Sequence, residues 1–197
     1  MSVFRLGLTG SIGMGKSATA GLFAGAGVPV WDADRAVARL YAPGGAAAGP
    51  VGALHPPARG PGGSILREAL RDWIAADPAA LARLEGVVHP LVAADRAAFL
   101  GGLTGGLAVL DIPLLFETGA EAAMDATLLV TAPPEVQRAR VLARPGMTAD
   151  LFRRLLARQM PDADKRARAT HILETLSPAV ARAYVAALID HIRARHA

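Results

Sequence analysis

The amino-acid sequence predicts an α/β fold in three layers, with a five-stranded parallel sheet, a helical insertion and a small helical lid. Three observations lead to this prediction. A glycine-rich pattern, GSIGMGKS, occupies residues 10–17 between an apolar run and a helix-forming stretch. Four further short apolar runs alternate with helical segments, and acidic residues follow two of those runs. Such alternation is typical of parallel strands joined by right-handed crossovers, with ligands at the carboxyl ends of the strands.

The first strand and the first helix enclose the glycine-rich pattern. Residues 4–8 predict a buried strand and residues 18–26 a helix, which is the setting that a phosphate-binding loop of the form G-x-x-x-x-G-K-[ST] requires. Glycines let backbone N–H groups approach phosphate oxygens, and the positive end of the helix favours an anion. The residues predicted to bind ATP are Gly10, Ser11, Ile12, Gly13, Met14, Gly15, Lys16, Ser17 and Ala18.

The single lysine of this pattern argues against a chance match. The chain has two lysines and nineteen arginines, and the residue frequencies give about 0.002 expected chance occurrences of the whole pattern. The lysine ammonium is a compact charge on a flexible side chain, which suits a loop that surrounds a phosphate group. We therefore expect Lys16 to reach the outer phosphates and the Ser17 hydroxyl to bind Mg²⁺.

The second predicted strand, residues 28–32, ends in two acidic residues. Asp32 and Asp34 precede a predicted helix over residues 35–41. One carboxylate can cap that helix and the other can accept a proton from a hydroxyl acceptor. We assign the general base to Asp32, and Asp34 is the alternative base. As the N-cap of the helix, Asp34 is expected to serve equally well as Asp32, or better.

The next sixty residues predict a helical insertion with a loop at its start. Residues 43–63 contain twelve Gly and Pro, which predicts a loop or poorly ordered connection. Residues 65–103 show helical periodicity, with Pro78 in the first turn of one helix and the pair His89-Pro90 interrupting the next. His89 is expected at a kink, more often structural than catalytic, although a buried imidazole there could point into a cleft.

The remaining strands complete the sheet. Residues 107–110 form the third strand and end at Asp111, a position that suits a carboxylate for Mg²⁺ or a strand-end turn. Residues 126–131 and 170–173 form the fourth and fifth strands, and Ser177 caps a final helix over residues 179–195. Between the last two strands lie two arginine-rich helices, which suit a lid that closes over phosphates or a solvated basic face.

Composition narrows the possible functions. A net charge of +4 without a basic block, and 5% aromatic residues, disfavour nucleic-acid binding. The chain has no cysteine, no leader pattern and no apolar run of membrane-spanning length, so we expect a cytoplasmic protein. A GTPase would need an Asn/Thr-Lys-x-Asp element, which the surroundings of Lys165 do not provide. A non-catalytic ATP-binding module would need no general base, so the variant Asp32→Asn would leave its activity intact.

Six segments together resemble the dephospho-CoA kinase family over nearly the whole chain. They comprise the loop LTGSIGMGKS, the pair Asp32 and Asp34, GSILREAL at 63–70, HPLV at 89–92, DIPLLFE at 111–117, and a lid set of Gln137, Arg140, Arg144 and Gln159. The phosphate loop is shared by many kinases, whereas the combination is far more specific. Departures are Ser11 and Ala18 in the loop, the Gly/Pro-rich stretch at 43–63, and Glu174-Thr175 where the family usually has an asparagine near the adenine.

The resemblance implies a P-loop kinase that transfers the γ-phosphoryl group of ATP to the ribose 3′-hydroxyl of dephospho-CoA, with Mg²⁺. It implies a single domain with its core at 1–42, 104–143 and 166–197, a CoA-binding insertion at about 43–103, and a lid at about 144–165. Catalysis would fall to Asp32, Lys16, Arg140 and Arg144. Substrate would be bound by Thr9, Asp32, Asp34, Arg67, His89, Pro113 and Leu114. The expected partners are ATP and dephospho-CoA, without nucleic acid or membrane, and the expected state is a monomer or weak homo-oligomer. The alternative is another small-metabolite or nucleoside P-loop kinase.

Overall fold

A computed structural model describes residues 2–196, and its centre is a five-stranded parallel sheet with the strand order β2-β3-β1-β4-β5. The predicted α/β class and the five strands are therefore confirmed. The strands are β1 Val3–Thr9, β2 Val30–Asp32, β3 Gly106–Asp111, β4 Ala126–Thr131 and β5 His171–Glu174. In register, Leu8 of β1 lies opposite Asp111 of β3 and Leu128 of β4, so the three central strands end at one edge.

Helices connect the strands, and most of them begin where proline, glycine or an acceptor side chain permits. Ser177 accepts a hydrogen bond from the Val180 N–H, as an N-cap should. The α-helices are α1 Lys16–Gly25, α2 Ala33–Tyr41, α3 Ala48–Leu54, α4 Arg67–Ala76, α5 Ala80–Gly101, α6 Pro134–Leu142, α7 Ala149–Leu156, α8 Asp162–Arg168 and α9 Pro178–His196. Within the described residues, no helix is long and apolar enough to span a membrane.

The chain divides into two compact units, of which the first contains residues 2–31 and 103–196. Its core forms where one face of the sheet meets α1 and α9. Leu6, Leu8, Phe23 and Leu128 are fully buried there, and Val185 is nearly so. Alternate residues of β1 contribute to this core, because successive side chains of a strand point to opposite faces.

The second unit, residues 32–102, has a core of its own and corrects the prediction for residues 43–63. That stretch is not a loop: it forms α3 and two short 3₁₀ helices at Pro56–Ala58 and Pro61–Gly63. Ala47, Val51 and Ala58 are fully buried in the core of this unit. Prolines are tolerated because they stand near helix starts, where the missing N–H costs little. The segment folds into helices because the small apolar residues between the prolines are buried in the core of the unit.

The predicted interruption at His89-Pro90 was also wrong. Helix α5 runs without a break from Ala80 to Gly101 with Pro90 inside it. His89 is exposed, so it is not a buried imidazole. A proline in a helix interior removes one backbone hydrogen bond, and the 22-residue helix offsets that loss by packing Leu84 and Val88 into the core of its unit. Pro78 lies two residues before the helix, rather than in its first turn.

The arginine-rich segment between β4 and β5 contains three helices, where two were predicted. Helix α6 begins at Pro134, as the proline predicts, and α7 begins at Ala149 with Thr148 as its N-cap. Helix α7 ends at Leu156, and α8 follows from Asp162. Helix α8 could not be predicted from the sequence, because its seven residues are mostly charged and show no apolar periodicity.

Candidate functional site

The glycine-rich loop joins the end of β1 to the start of α1 and lies at the carboxyl edge of the sheet. Gly13 and Gly15 have φ angles of 79° and 96°, in the left-handed region that favours glycine. Gly15 is the residue before α1, and the first turn of that helix contains no acidic residue. The unpaired N–H groups and the dipole at this end of the helix favour an anion such as a phosphate group.

Two charged side chains meet beside the loop. The Lys16 ammonium forms an ion pair with the carboxylate of Asp111, the last residue of β3, whose side chain is only 3% exposed. Adjacent parallel strands bring them together, since β1 and β3 pair in register. Ser17 follows Lys16 and is exposed. The arrangement places a cation, a carboxylate and a hydroxyl at one helix start.

Thr175 is the hub on the other side of the loop. Arg140 of α6 donates to both the Thr175 side-chain oxygen, at 2.8 Å, and its backbone carbonyl, at 2.7 Å. The Thr175 hydroxyl in turn donates to the Met14 carbonyl of the loop at 2.8 Å. Thr175 therefore holds Arg140 close to the phosphate loop, a role that was not predicted from the sequence. The only sequence signal for Thr175 was its place just after β5.

A cavity of about 300 Å³ opens between this hub and α1. Its walls are mostly apolar, and five of its lining residues have polar side chains, including Arg140 and Thr175. The lining residues are Gly15, Ala18, Thr19, Leu22, Arg140, Thr175, Ser177, Pro178, Ala181 and Arg182. An apolar cleft with a few convergent polar groups is the usual form of a small-ligand site, and this one is continuous with the helix start that favours phosphate.

A buried ion pair fixes the segment after β3. Lys165 of α8 is fully buried and lies 2.8 Å from a carboxylate oxygen of Glu117, which also accepts a hydrogen bond from the Met160 N–H. Burial alone would raise the pKa of Glu117, but Lys165 and the backbone N–H hold that pKa below its ordinary value. Glu117 belongs to the DIPLLFE segment that resembles the family, but no role was predicted from the sequence for either Glu117 or Lys165.

The remaining predicted residues of the first unit are placed as follows. The Thr9 hydroxyl donates to the Pro113 carbonyl at 3.0 Å, so it ties β1 to the turn after β3. Leu114, the next residue, is 42% exposed. Arg144 is exposed, one turn beyond Arg140 near the end of α6. The fold thus brings Lys16, Asp111 and Arg140 to the loop, while Arg144 faces solvent.

The predicted residues of the second unit include the two acidic residues. Asp32 is the N-cap of α2, since its side chain accepts a hydrogen bond from the Arg35 N–H at 2.9 Å. The expectation that Asp34 serves the cap equally well, or better, was wrong: Asp34 is in the first turn and is exposed. The reason is geometric, because a cap residue needs extended dihedral angles, which Asp32 has at the end of β2.

Arg67 begins α4 and is also exposed. Its guanidinium lies 5.8 Å from the centre of the Tyr41 ring, a cation–π contact. Burial raises the pKa of the Tyr41 hydroxyl, and the charge of Arg67 opposes that rise. Arg67 and His89 therefore both present polar groups to solvent within this unit, where a soluble ligand can reach them.

Comparisons with known proteins agree with these features. A protein-family model described as dephospho-CoA kinase matches residues 4–179. A dephospho-CoA kinase of Cereibacter sphaeroides is 70% identical over 193 residues, which is 98% of each chain. Among solved structures, a Thermus thermophilus protein matches with a TM-score of 0.86 at 38% identity, covering 96% of this chain and 98% of its own. A Campylobacter jejuni dephospho-CoA kinase shares the fold, with a TM-score of 0.66 at 20% identity, covering 95% and 96%.

Proposed function

This chain belongs to the dephospho-CoA kinase family, and from that premise we propose how its residues divide the transfer of a phosphoryl group from ATP to dephospho-CoA. The reaction moves the γ-phosphoryl group to the 3′-hydroxyl of the ribose, the last step of coenzyme A synthesis. The bond between the γ-phosphorus and the bridging oxygen of ADP breaks, and a bond to the ribose oxygen forms. The single observation that supports these roles best is the ion pair of Lys16 and Asp111 at the start of α1.

The phosphates of ATP are bound by the loop and the start of α1. Backbone N–H groups from Gly13 to Ser17 supply donors, and Lys16 supplies the charge that stabilises the transferring phosphoryl group. Arg140 is held at the loop by Thr175 and adds a second cation. Arg144 is exposed, so its proposed contribution requires that it turn towards the phosphates when the lid closes.

The adenine of ATP occupies the cavity of about 300 Å³ beside α1. The cavity begins at Gly15 and Ala18, next to the phosphate position, and its apolar walls suit a flat base. The guanidinium of Arg140 can stack on an aromatic ring as well as attract phosphate. This assignment gives Thr175 the place near the adenine that an asparagine usually has in the family.

Asp32 acts as the general base. It is the last residue of β2, and ligands of open parallel sheets bind at the carboxyl ends of the strands. One oxygen of Asp32 caps α2. A carboxylate has two oxygens and about four acceptor positions, so capping leaves capacity to orient the ribose hydroxyl and accept its proton.

The residues beside the loop fit a magnesium ion. Ser17 and Asp111 offer a hydroxyl and a carboxylate, which are the hard oxygen ligands that Mg²⁺ prefers, and Mg²⁺ usually shares such ligands with substrate phosphates. Bound there with ATP, the ion would neutralise negative charge on the phosphates. Asp111 would then contact both Lys16 and the ion.

In the second unit, the contacts that we propose for dephospho-CoA are made by polar side chains. Asp34, Arg67 and His89 are exposed polar groups that a charged, soluble substrate can reach. In the first unit, we propose contacts with Thr9, Pro113 and Leu114 at the turn after β3. We also propose a cytoplasmic monomer or weak homo-oligomer that binds neither nucleic acid nor membrane, in line with a sequence that has no cysteine and few aromatic residues.

A mass-spectrometric assay with ATP, Mg²⁺ and dephospho-CoA tests the proposed roles. We expect Asp32→Asn to lower kcat by about 10²- to 10⁴-fold, the usual contribution of a general base, with ATP binding retained. Lys16→Ala should weaken ATP binding and turnover together, because the cation contacts phosphate in both states. A wild-type rate in either variant would overturn the corresponding role. Retained turnover without added Mg²⁺ would overturn the metal site.

A further inference from the structure

The phosphate loop is held from two sides by the only carboxamide side chains in the protein. The sequence contains no asparagine and two glutamines, Gln137 and Gln159. The Gln137 side-chain amide donates to the Ile12 carbonyl at 2.8 Å. The Ile12 N–H donates to the Gln159 side-chain oxygen at 3.1 Å. A chain that uses this type of side chain twice therefore uses it both times on one residue of the loop.

The backbone groups fix which end of each glutamine faces the loop. A carbonyl can only accept a hydrogen bond, so Gln137 must present its NH₂ group to Ile12. An N–H can only donate, so Gln159 must present its oxygen. The two contacts are thus complementary, and replacing either amide by a carboxylate has opposite consequences at the two positions.

Each glutamine is itself firmly held. Gln137 lies in the first turn of α6 with 4% of its surface exposed. Gln159 lies between α7 and α8, and its neighbour Met160 donates through its N–H to Glu117, the partner of buried Lys165. The loop is therefore connected through Gln137 to α6, and through Gln159 to the segment that we propose as the lid.

We propose that Gln137 and Gln159 are positioning residues that hold the Ile12 peptide and so keep the phosphate loop in the shape that receives ATP. The proposal rests on the proposed ATP site. Residues 10–15 include three glycines, which give the unbound loop many alternative conformations. A loop that is already held in its binding shape loses less conformational entropy when ATP binds, and its Kd for ATP is therefore lower.

The first test replaces each glutamine by methionine, which has a similar length and no amide. We expect each variant to raise the Kd and KM for ATP by about three- to tenfold, the value of one lost hydrogen bond, while the KM for dephospho-CoA is unchanged. Binding of ATP is measured by calorimetric titration without acceptor. That readout stands even if the acceptor were another metabolite, so failure of the proposed function would be distinguishable from failure of this proposal.

The second test uses the donor and acceptor pattern and is independent of any general loss of stability. Gln159→Glu keeps an acceptor for the Ile12 N–H, whereas Gln137→Glu removes the donor and sets two oxygens against each other. Both variants add the same charge beside the same peptide, so their difference isolates the hydrogen bond. We expect the Kd for ATP to rise about tenfold more in Gln137→Glu than in Gln159→Glu.

The outcomes that would overturn the proposal are equally specific. Equal effects in the two glutamate variants would mean that charge alone acts on ATP. Unchanged ATP affinity in both methionine variants, at wild-type melting temperature, would mean that the loop keeps its shape without the amides. If the methionine variants melt early, the comparison of the two glutamate variants decides.

Discussion

At residue 10 the backbone of the phosphate loop lies directly against β4. A Cβ atom added to Gly10 would come within 2.5 Å of the Val130 carbonyl oxygen, closer than real Cβ contacts allow. The neighbour is backbone in a central strand, so it cannot move aside cheaply. The requirement for glycine here is one of space, whereas at Gly15 it is one of dihedral angle.

We therefore predict that Gly10→Ala displaces the loop and costs about 1–3 kcal/mol of stability, the range for an overpacked site, with a larger loss of ATP affinity. Chemical denaturation and ATP titration measure the two effects. The matched control is Gly21→Ala in the middle of α1, where an added Cβ meets nothing within 4 Å. That variant should gain about 0.5–1 kcal/mol, since alanine is the better helix former. Wild-type ATP affinity in Gly10→Ala would contradict the argument.

Asp32 shows how far residue-level reasoning from the sequence reaches. The sequence located two acidic residues at the end of a strand and the start of a helix. It could not decide which one caps the helix, because the cap depends on backbone angles that β2 sets. The assignment of Asp32 as the base remains a prediction.

Helix α8 carries a fully buried lysine that is paired with a carboxylate. Its Lys165 side chain is fully buried against Glu117, which is 17% exposed. We predict that Lys165→Met lowers the free energy of unfolding by about 3–5 kcal/mol, because it leaves a carboxylate buried without its counter-ion. Thermal and chemical denaturation measure this loss. The double variant Glu117→Gln/Lys165→Met should recover most of it, and a double variant as unstable as the single one would contradict the ion-pair explanation.

The same pair predicts a pH dependence. The folded-state pKa of Glu117 lies below its ordinary value of 4.5, so the unfolded chain binds this proton more readily than the folded protein. The contribution of the pair is therefore complete above pH 4.5 and is lost as the pH falls through the lower, folded-state pKa. In Glu117→Gln this part of the acid sensitivity should be absent.

Residues 43–63 and α5 show why element prediction failed where it did. Glycine and proline counts describe local preference, and they predicted a loop at 43–63 and a break at Pro90. Burial of Val51 and Ala58 in one case, and of Leu84 and Val88 in the other, outweighs those preferences. Helices are stabilised mainly by the packing of their apolar faces, which a local count does not include. By contrast, the strands were predictable because short uninterrupted apolar runs bounded by turn residues are typical of buried strands.

At the scale of the whole molecule, ligand binding and stability are linked. ATP with Mg²⁺ at about 100 times its Kd should stabilise the folded protein by about 2.7 kcal/mol, which for a chain of this size raises the melting temperature by about 5–10 °C. Lys16→Ala should abolish most of that shift, measured against the same variant without ligand, because it weakens ATP binding. Differential scanning calorimetry measures both. An equal shift in the variant would show that ATP does not bind at Lys16.

The sequence by itself determined the α/β class, the five strands, the phosphate loop and the family, because these depend on patterns within short segments and on the order of those segments. The tertiary structure alone decided the contacts between distant segments. They include the pairing of Lys16 with Asp111, the Thr175 hub, the Glu117–Lys165 pair and the two glutamines on Ile12. These partners lie 35 to 161 residues apart in the chain. No local pattern encodes such contacts, since they exist only when the parallel sheet brings its carboxyl ends together.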